Sequence, residues 1–126
     1  MSKHIETGLS GEKLAESYLR NKGWSILATN WRAGRFEIDI IGRDGNVLVI
    51  VEVKTRSSDQ MAFPETAVDE KKQKMLLTAA AQYIHETNWE GECRFDVVAI
   101  ILTGSGNSRI RHFEDAFYPN PTDELT

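Results

Sequence analysis

Asp39, Glu52 and Lys54 are the residues whose types and spacing carry chemistry in this chain. In the stretch VIVEVKTRSS, residues 49–58, the first half has the apolar, β-branched character of a buried strand. Glu52 and Lys54 nevertheless stand in it two positions apart, and alternation along a strand puts them on one face. The apolar segment before it, 36–43, carries Asp39, and the intervening Asp44-Gly45-Asn46 is a hairpin signal. A turn loop of even length leaves one wholly apolar face: Phe36, Ile38, Ile40, Val47, Val49, Val51 and Val53. The other face is then apolar near the turn (Ile41, Leu48, Ile50) and charged at its far end (Glu37, Asp39, Glu52, Lys54). A loop of odd length sets charges among the valines, and unpaired buried charge is expensive, so the even register is predicted. If Gly45-Asn46 is the loop, Asp39 lies directly opposite Glu52.

Two facing carboxylates repel, so either one pKa rises or a cation sits between them. Lys54 is one candidate. A divalent ion that favours hard oxygen ligands, Mg²⁺ or Mn²⁺, is the other. Glu-x-Lys alone is ordinarily a solvated ion pair; the matching parity of Asp39 points beyond that.

The hairpin needs neighbours to hold it. Residues 5–22 are predicted as a helix, with Leu14, Ala15, Tyr18 and Leu19 on one stripe and Gly23 at the left-handed C-terminal cap. Gly8 and Gly11 imply close backbone approach, or a helix proper that begins nearer Ser10. Glu12 flanks the stripe. A strand over 24–29, a turn at 32–35 and the pair 36–43 and 47–54 follow. Residues 66–88 are predicted as a long helix, with Ala67, Val68, Met75, Leu76, Ala79, Ala80, Tyr83 and Ile84 broadly on one side. Strands over 94–102 and 109–113 flank a Gly-Ser-Gly turn. The predicted order is α β β β α β β, one domain over residues 1–118 with an acidic tail at 119–126.

With 126 residues, 40% hydrophobic and 27% charged, the chain is long enough for one compact core and not comfortably for two. No apolar run reaches the roughly 20 residues of a membrane helix. The polar N-terminus, MSKHIETGLSGEK, does not read as a secretory signal. Cys93, the one cysteine, makes no internal disulfide and has no partner for a zinc site, so a reducing, cytoplasmic location is expected. Net charge is −4, yet residues 1–36 carry six basic against three acidic residues and residues 75–126 three against eight. A chain so divided can still present a positive face to phosphate. His4, His85 and His112 have no ligand spacing and are expected at the surface, and Asp96 either pairs with Arg94 or lines the same cleft.

Asp39 followed by Glu52-Val53-Lys54 resembles the PD-(D/E)xK nuclease signature, and the αβββαβ order resembles the core of that superfamily. The segments GLSGEKLAESYLRNKGWSILATNWR, FEIDIIGRDGNVLVIVEVKTR and RFDVVAII together resemble the bacterial YraN-like family. Archaeal Holliday-junction resolvases look similar, with Glu on the first helix, Asp on the second strand and Glu-x-Lys on the third. The resemblance spans roughly residues 5–113 and departs at Ile38, where the superfamily commonly has Pro.

It implies a restriction-endonuclease-like α/β fold, a mixed sheet with flanking helices. It also implies a metal-dependent endonuclease hydrolysing DNA phosphodiesters, DNA rather than RNA, at branched or irregular structures. Asp39, Glu52 and the Val53 carbonyl would hold Mg²⁺ or Mn²⁺, with Glu12 reaching the same ion, and Lys54 would orient water or stabilise the phosphate charge. Arg32, Arg35 and Arg56, with Lys71, Lys72 and Lys74, are the expected nucleic-acid contacts; Trp31 either stacks a base or belongs to the core. A homodimer would suit a branched substrate. The alternatives are a non-catalytic module that keeps the fold and binds nucleic acid or protein, and a structural protein whose hairpin charges form a buried ion network.

Overall fold

A computed structural model of the chain describes residues 3–57, 68–103 and 106–118, with side chains from Gly11 onward. Residues 66–67, Gly104, Ser105 and the 119–126 tail lie outside the described residues, as do the side chain of His4 and the surroundings of Gly8. The elements are α1 (Lys3–Asn21), β1 (Ser25–Ala33), β2 (Phe36–Asp44), β3 (Val47–Ser57), α2 (Glu70–Thr87), β4 (Glu92–Leu102) and β5 (Ser108–Phe113). This is the expected order. The protein is a mixed α/β structure with one five-stranded sheet, β1-β2-β3-β4-β5, in which β3 and β4 are parallel and the other neighbours antiparallel.

Local chemistry explains the boundaries. Gly23 takes φ +96°, its N–H bonds Arg20 O, and Trp24 N–H reaches back to Leu19 O. This double closure is the Schellman end that a glycine permits. The long helix starts four residues later than its periodicity predicts. Asp69 caps it by accepting Lys72 N–H at 2.8 Å, which leaves Val68 buried just ahead of the first turn. Asn88, at φ 56°, ends it.

The two helices lie on opposite faces of the sheet, α2 between the parallel strands β3 and β4 in the chain. On the α1 side Ala15, Leu19 and Trp24 pack on Ile40, Val49, Val51, Val98 and Ile100. On the α2 side Leu76, Ala79 and Ala80 pack on Ile38, Ile41, Leu48, Ile50, Phe95 and Val97. β3 is therefore apolar on both faces, each buried Val, Leu or Ile contributing about 1.5–3 kcal/mol. Leu14, predicted on the buried stripe of α1, is instead 39% exposed: Ala15 and Leu19, four apart, carry the contact. Among the described residues no helix is long and apolar enough to cross a membrane.

The hairpin register is the even one, with Asp44 opposite Val47 across Gly45-Asn46. Its predicted faces need one correction. Ile40 and the valines do face α1, and Ile41, Leu48 and Ile50 face α2, but Phe36 and Ile38 pack with the α2 cluster. The alternation of β2 reverses at Asp39. β1 reverses with it at Asn30, φ 50°, so that Ala28 and Trp31, three apart, both face α2. The two strands keep their mutual register (Thr29 with Ile40, Trp31 with Ile38) because both slip phase together.

Candidate functional site

The pairing of β2 with β3 ends at Ile40–Val51, one residue before the acids would meet. There the strands part, and the Asp39 carboxylate fills the gap: its Oδ2 accepts the Val53 N–H at 2.8 Å. Glu52 lies beside it, only 4% exposed. Two ammonium groups reach Glu52 Oε2, Lys54 Nζ from the same strand at 3.4 Å and Lys72 Nζ from the first turn of α2 at 3.5 Å. Glu52 Oε1 is buried with no hydrogen-bond partner among the described residues. The predicted trio of Asp39, Glu52 and Lys54 is thus brought together at one strand fork.

Burial pushes the Asp39 carboxyl up, the charge of Glu52 adds to this, and Glu12 contributes a little more. The bond from Val53 pulls the other way, leaving the group at about 7. Asp39 and Glu52 are close enough to share a proton. Ionised, both are acceptors only, which is why Oε1 lacks a donor. What stays unmet is Oε1 itself, which a proton on either acid or a cation would satisfy.

Glu12, on α1, helps line a cleft of about 150 Å³ together with Glu16, Asn30 and Asp39. It enters as a wall of that cleft. Among the described residues no three Asp, Glu, His or Cys side chains converge into a ready-made cage for an ion. The residues that could hold Mg²⁺ or Mn²⁺ are accordingly few: the Asp39 carboxylate, the unpartnered Oε1 of Glu52 and the carbonyl of Val53, whose N–H bonds Asp39, all hard oxygen donors.

The predicted nucleic-acid contacts separate. Lys72 belongs to the centre itself. It was legible as such: Lys72, Leu76, Ala79 and Tyr83 follow at helical spacing, so Lys72 falls on the sheet-facing stripe while Lys71 and Lys74 are exposed. Arg32 pairs with Glu37 across β1 and β2 at 2.9 Å, Arg35 is exposed in the turn that joins them, and Arg56 lies half-buried two residues past Lys54. Trp31 belongs to the core, edge-on to Tyr83 with ring centroids 5.3 Å apart.

Asp96 does not line the cleft. It is fully buried and bonds Arg94 Nε at 3.0 Å, His112 Nε2 at 2.7 Å and Asp115 N–H at 3.1 Å. His112 is consequently no surface residue: it is half-buried, with Lys22 Nζ 3.0 Å from its Nδ1 and Tyr18 and Trp24 edge-on to its ring. A lone histidine carries no sequence signal for such a partnership. The basic excess of the N-terminal region is also partly neutralised, since Arg20 pairs with Glu16 and Arg32 with Glu37. Burial pushes the Cys93 thiol up to about 11, leaving it a poor nucleophile.

The chain is thus a mixed α/β protein whose five-stranded mixed sheet sets two acids and two lysines together at a strand fork. The model of the "Uncharacterised protein family UPF0102" matches residues 11–100, and the chain belongs to that family, the one its YraN-like segments resemble. A "UPF0102 protein" of Bacteroides thetaiotaomicron is 45% identical over 119 residues, covering 94% of this chain and 98% of that protein. Another from Thermodesulfovibrio yellowstonii is 46% identical over 114 residues, covering 90% and 97%. One from Flavobacterium psychrophilum is 43% identical over 118 residues, covering 94% and 98%.

Proposed function

We propose that this protein is a PD-(D/E)xK-type endonuclease that hydrolyses DNA phosphodiesters with Mg²⁺ or Mn²⁺ at the Asp39–Glu52–Lys54 centre. The observation that carries the proposal is the convergence of two carboxylates, one of them with a buried, unpartnered oxygen, beside two lysines. The αβββαβ order and the resemblance to resolvases support the same reading. Asp39, Glu52 Oε1 and the Val53 carbonyl would hold the ion, with Glu12 reaching it from the cleft wall directly or through a water. When bound, the metal supplies Lewis acidity and a water of lowered pKa. Lys54 supplies donors to the attacking water or to the phosphate oxygen on which charge develops. Asp39 must lose its proton before it can act as a ligand.

The test is nicking of supercoiled plasmid and of a branched synthetic junction with Mn²⁺ or Mg²⁺, beside Asp39→Ala and Lys54→Ala. Metal-dependent cutting by the wild type that both variants lose is the expected result. Cutting that survives in both variants would mean the activity is not this protein's. One observation favours the alternative, a binding module without turnover: two ammonium groups already neutralise Glu52. DNA binding without cutting under either metal would establish that alternative.

A further inference from the structure

A chain with a net charge of −4 that cuts a polyanion must gather its positive charge somewhere. The sheet register does this on one face. β3 pairs with β4 in parallel as far as Ser57–Leu102, and β4 pairs with β5 antiparallel. Lys54, Ala99 and Arg111 therefore form one row across three strands, and Arg56, Ile101 and Arg109 form the next. Their sequence neighbours Val53, Val98, Ile100, Leu102 and Ile110 pack on the α1 side, so both rows project on the α2 side, where Glu52 meets Lys72. With strands about 4.8 Å apart and alternate residues about 6.7 Å apart, the cations of β3 and β5 make a grid roughly 10 by 7 Å at the backbone.

Arg109 and Arg111 are exposed, and Arg56 is half-buried with its guanidinium on Thr55 O. Among the described residues none of these three has a carboxylate partner, whereas Arg20, Arg32 and Arg94 each do. Edge strands often carry charge to discourage pairing with other chains, which would account for Arg109 and Arg111 taken alone. It does not account for their lying in the same rows, and on the same face, as Lys54 and Arg56.

We infer that this grid is a phosphate track. A DNA backbone approaching the Glu52–Lys54 centre is held by Arg56 and, at the β5 edge, by Arg109 and Arg111, whose side chains flank the buried Ala99 and Ile101 of β4. The inference deepens the nuclease proposal and rests on it for the identity of the polyanion. The test measures the affinity of a fluorescein-labelled DNA duplex by anisotropy in EDTA across a salt series. It compares the wild type, Arg109→Gln, Arg111→Gln, the double variant, and Arg20→Gln as control, with melting curves and Mn²⁺ calorimetry on each.

Each single variant should lower the slope of log affinity against log salt by about 1, and the double variant by about 2, with roughly tenfold or greater weakening. Arg20→Gln and Mn²⁺ binding should be unchanged. A folded double variant with the wild-type affinity and slope would overturn the track. So would one that only self-associates, which is the edge-protection outcome. If the wild type binds no duplex, the track and the nuclease proposal fall together. If binding behaves as stated but no metal elicits cutting, the track stands and the cleavage proposal falls. If the double variant binds and cuts like the wild type, the track alone falls.

Discussion

Asp39 on β2 accepts the Val53 N–H of β3 at 2.8 Å, just past the last backbone pair between those strands. The bond ties the ends of a fork that backbone pairing has abandoned, and it fixes the carboxylate beside Glu52. The fold thus holds Asp39 where ionisation is costly, because burial and a neighbouring acid both oppose the charge. Functional sites commonly store such cost.

The first consequence is a pH dependence of stability. The folded Asp39 carboxyl titrates near 7 against 3.8 for the free group, so between these values the folded state binds more protons than the unfolded one. Stability is then full below the unfolded value and falls as pH rises through the folded one. Asp39→Asn removes that loss, and its amide oxygen can still accept the Val53 N–H. In EDTA the variant should match the wild type near pH 4 and exceed it at pH 8 by a few kcal/mol, at most about 1.4 kcal/mol for each pH unit that separates the folded and unfolded values. Urea denaturation across the range measures this, and an advantage that does not vary with pH would refute it.

Metal binding should carry the same proton. A cation needs Asp39 ionised, so Mn²⁺ affinity should rise with pH up to about 7, by as much as tenfold per pH unit, and level off above it. Calorimetry in two buffers of different ionisation enthalpy should show proton release near pH 6 and little at pH 8. Asp39→Ala should abolish the binding heat.

The two lysines on Glu52 should separate in their effects. Lys54→Met and Lys72→Met each remove an ammonium group about 3.5 Å from Glu52 Oε2, so both should bind Mn²⁺ more tightly than the wild type. Plasmid nicking by Lys54→Met should nevertheless drop by about 10²–10³, the usual loss when one donor to a developing oxyanion is removed. Weaker Mn²⁺ binding in Lys54→Met would mean that Lys54 organises the site and does not merely repel the metal.

Much of this centre is legible from alternation and turn chemistry. Gly45 at the hairpin and the unbroken run of valines set the even register, and the register brings Asp39 to Glu52. The phase reversal at Asp39 is not legible, because nothing in FEIDII marks it. It accompanies the reversal at Asn30 on the neighbouring strand, whose left-handed backbone reads locally as an ordinary turn residue. The late start of α2 fails for a different reason: Val68 satisfies the helical stripe while packing from outside the helix, and the Asp69 cap overrides the periodicity. His112 and Asp96 sit on separate strands, and only the β4–β5 pairing makes them partners.

That partnership makes Asp96 the opposite of Asp39. Its carboxyl is buried, which alone would raise its pKa, but His112, Arg94 and the Asp115 N–H together hold it below the usual range. It therefore stabilises the fold above the unfolded carboxylate pKa, and that stability is lost as pH falls through the lower, folded value. Asp96→Ala should cost about 1–3 kcal/mol at pH 7, since His112 and the Asp115 N–H lose a buried acceptor while Arg94 keeps Asp44 and Glu114. Mn²⁺ affinity should be untouched, and a loss of metal binding in a folded variant would place Asp96 in the centre after all.

Gly11 decides how closely α1 approaches the sheet. A Cβ at this position would overlap Thr55 Oγ1 and touch Ile100 at 3.8 Å. Thr55 is β-branched and stiff, so it cannot swing clear without leaving its rotamer. Gly11→Ala gains about 1 kcal/mol of helix propensity but should lose about 1–3 kcal/mol to the overlap, for a net loss. In a Thr55→Ala background the overlap disappears, and the same substitution should become neutral or stabilising by up to about 1 kcal/mol. A double-mutant cycle read by denaturation isolates the coupling. Because Thr55 adjoins Lys54, an outward shift of α1 in Gly11→Ala should also reach the centre. Nicking should fall in the single variant and recover in the double one, and equal activity in both would show that α1 is free to move without disturbing Lys54.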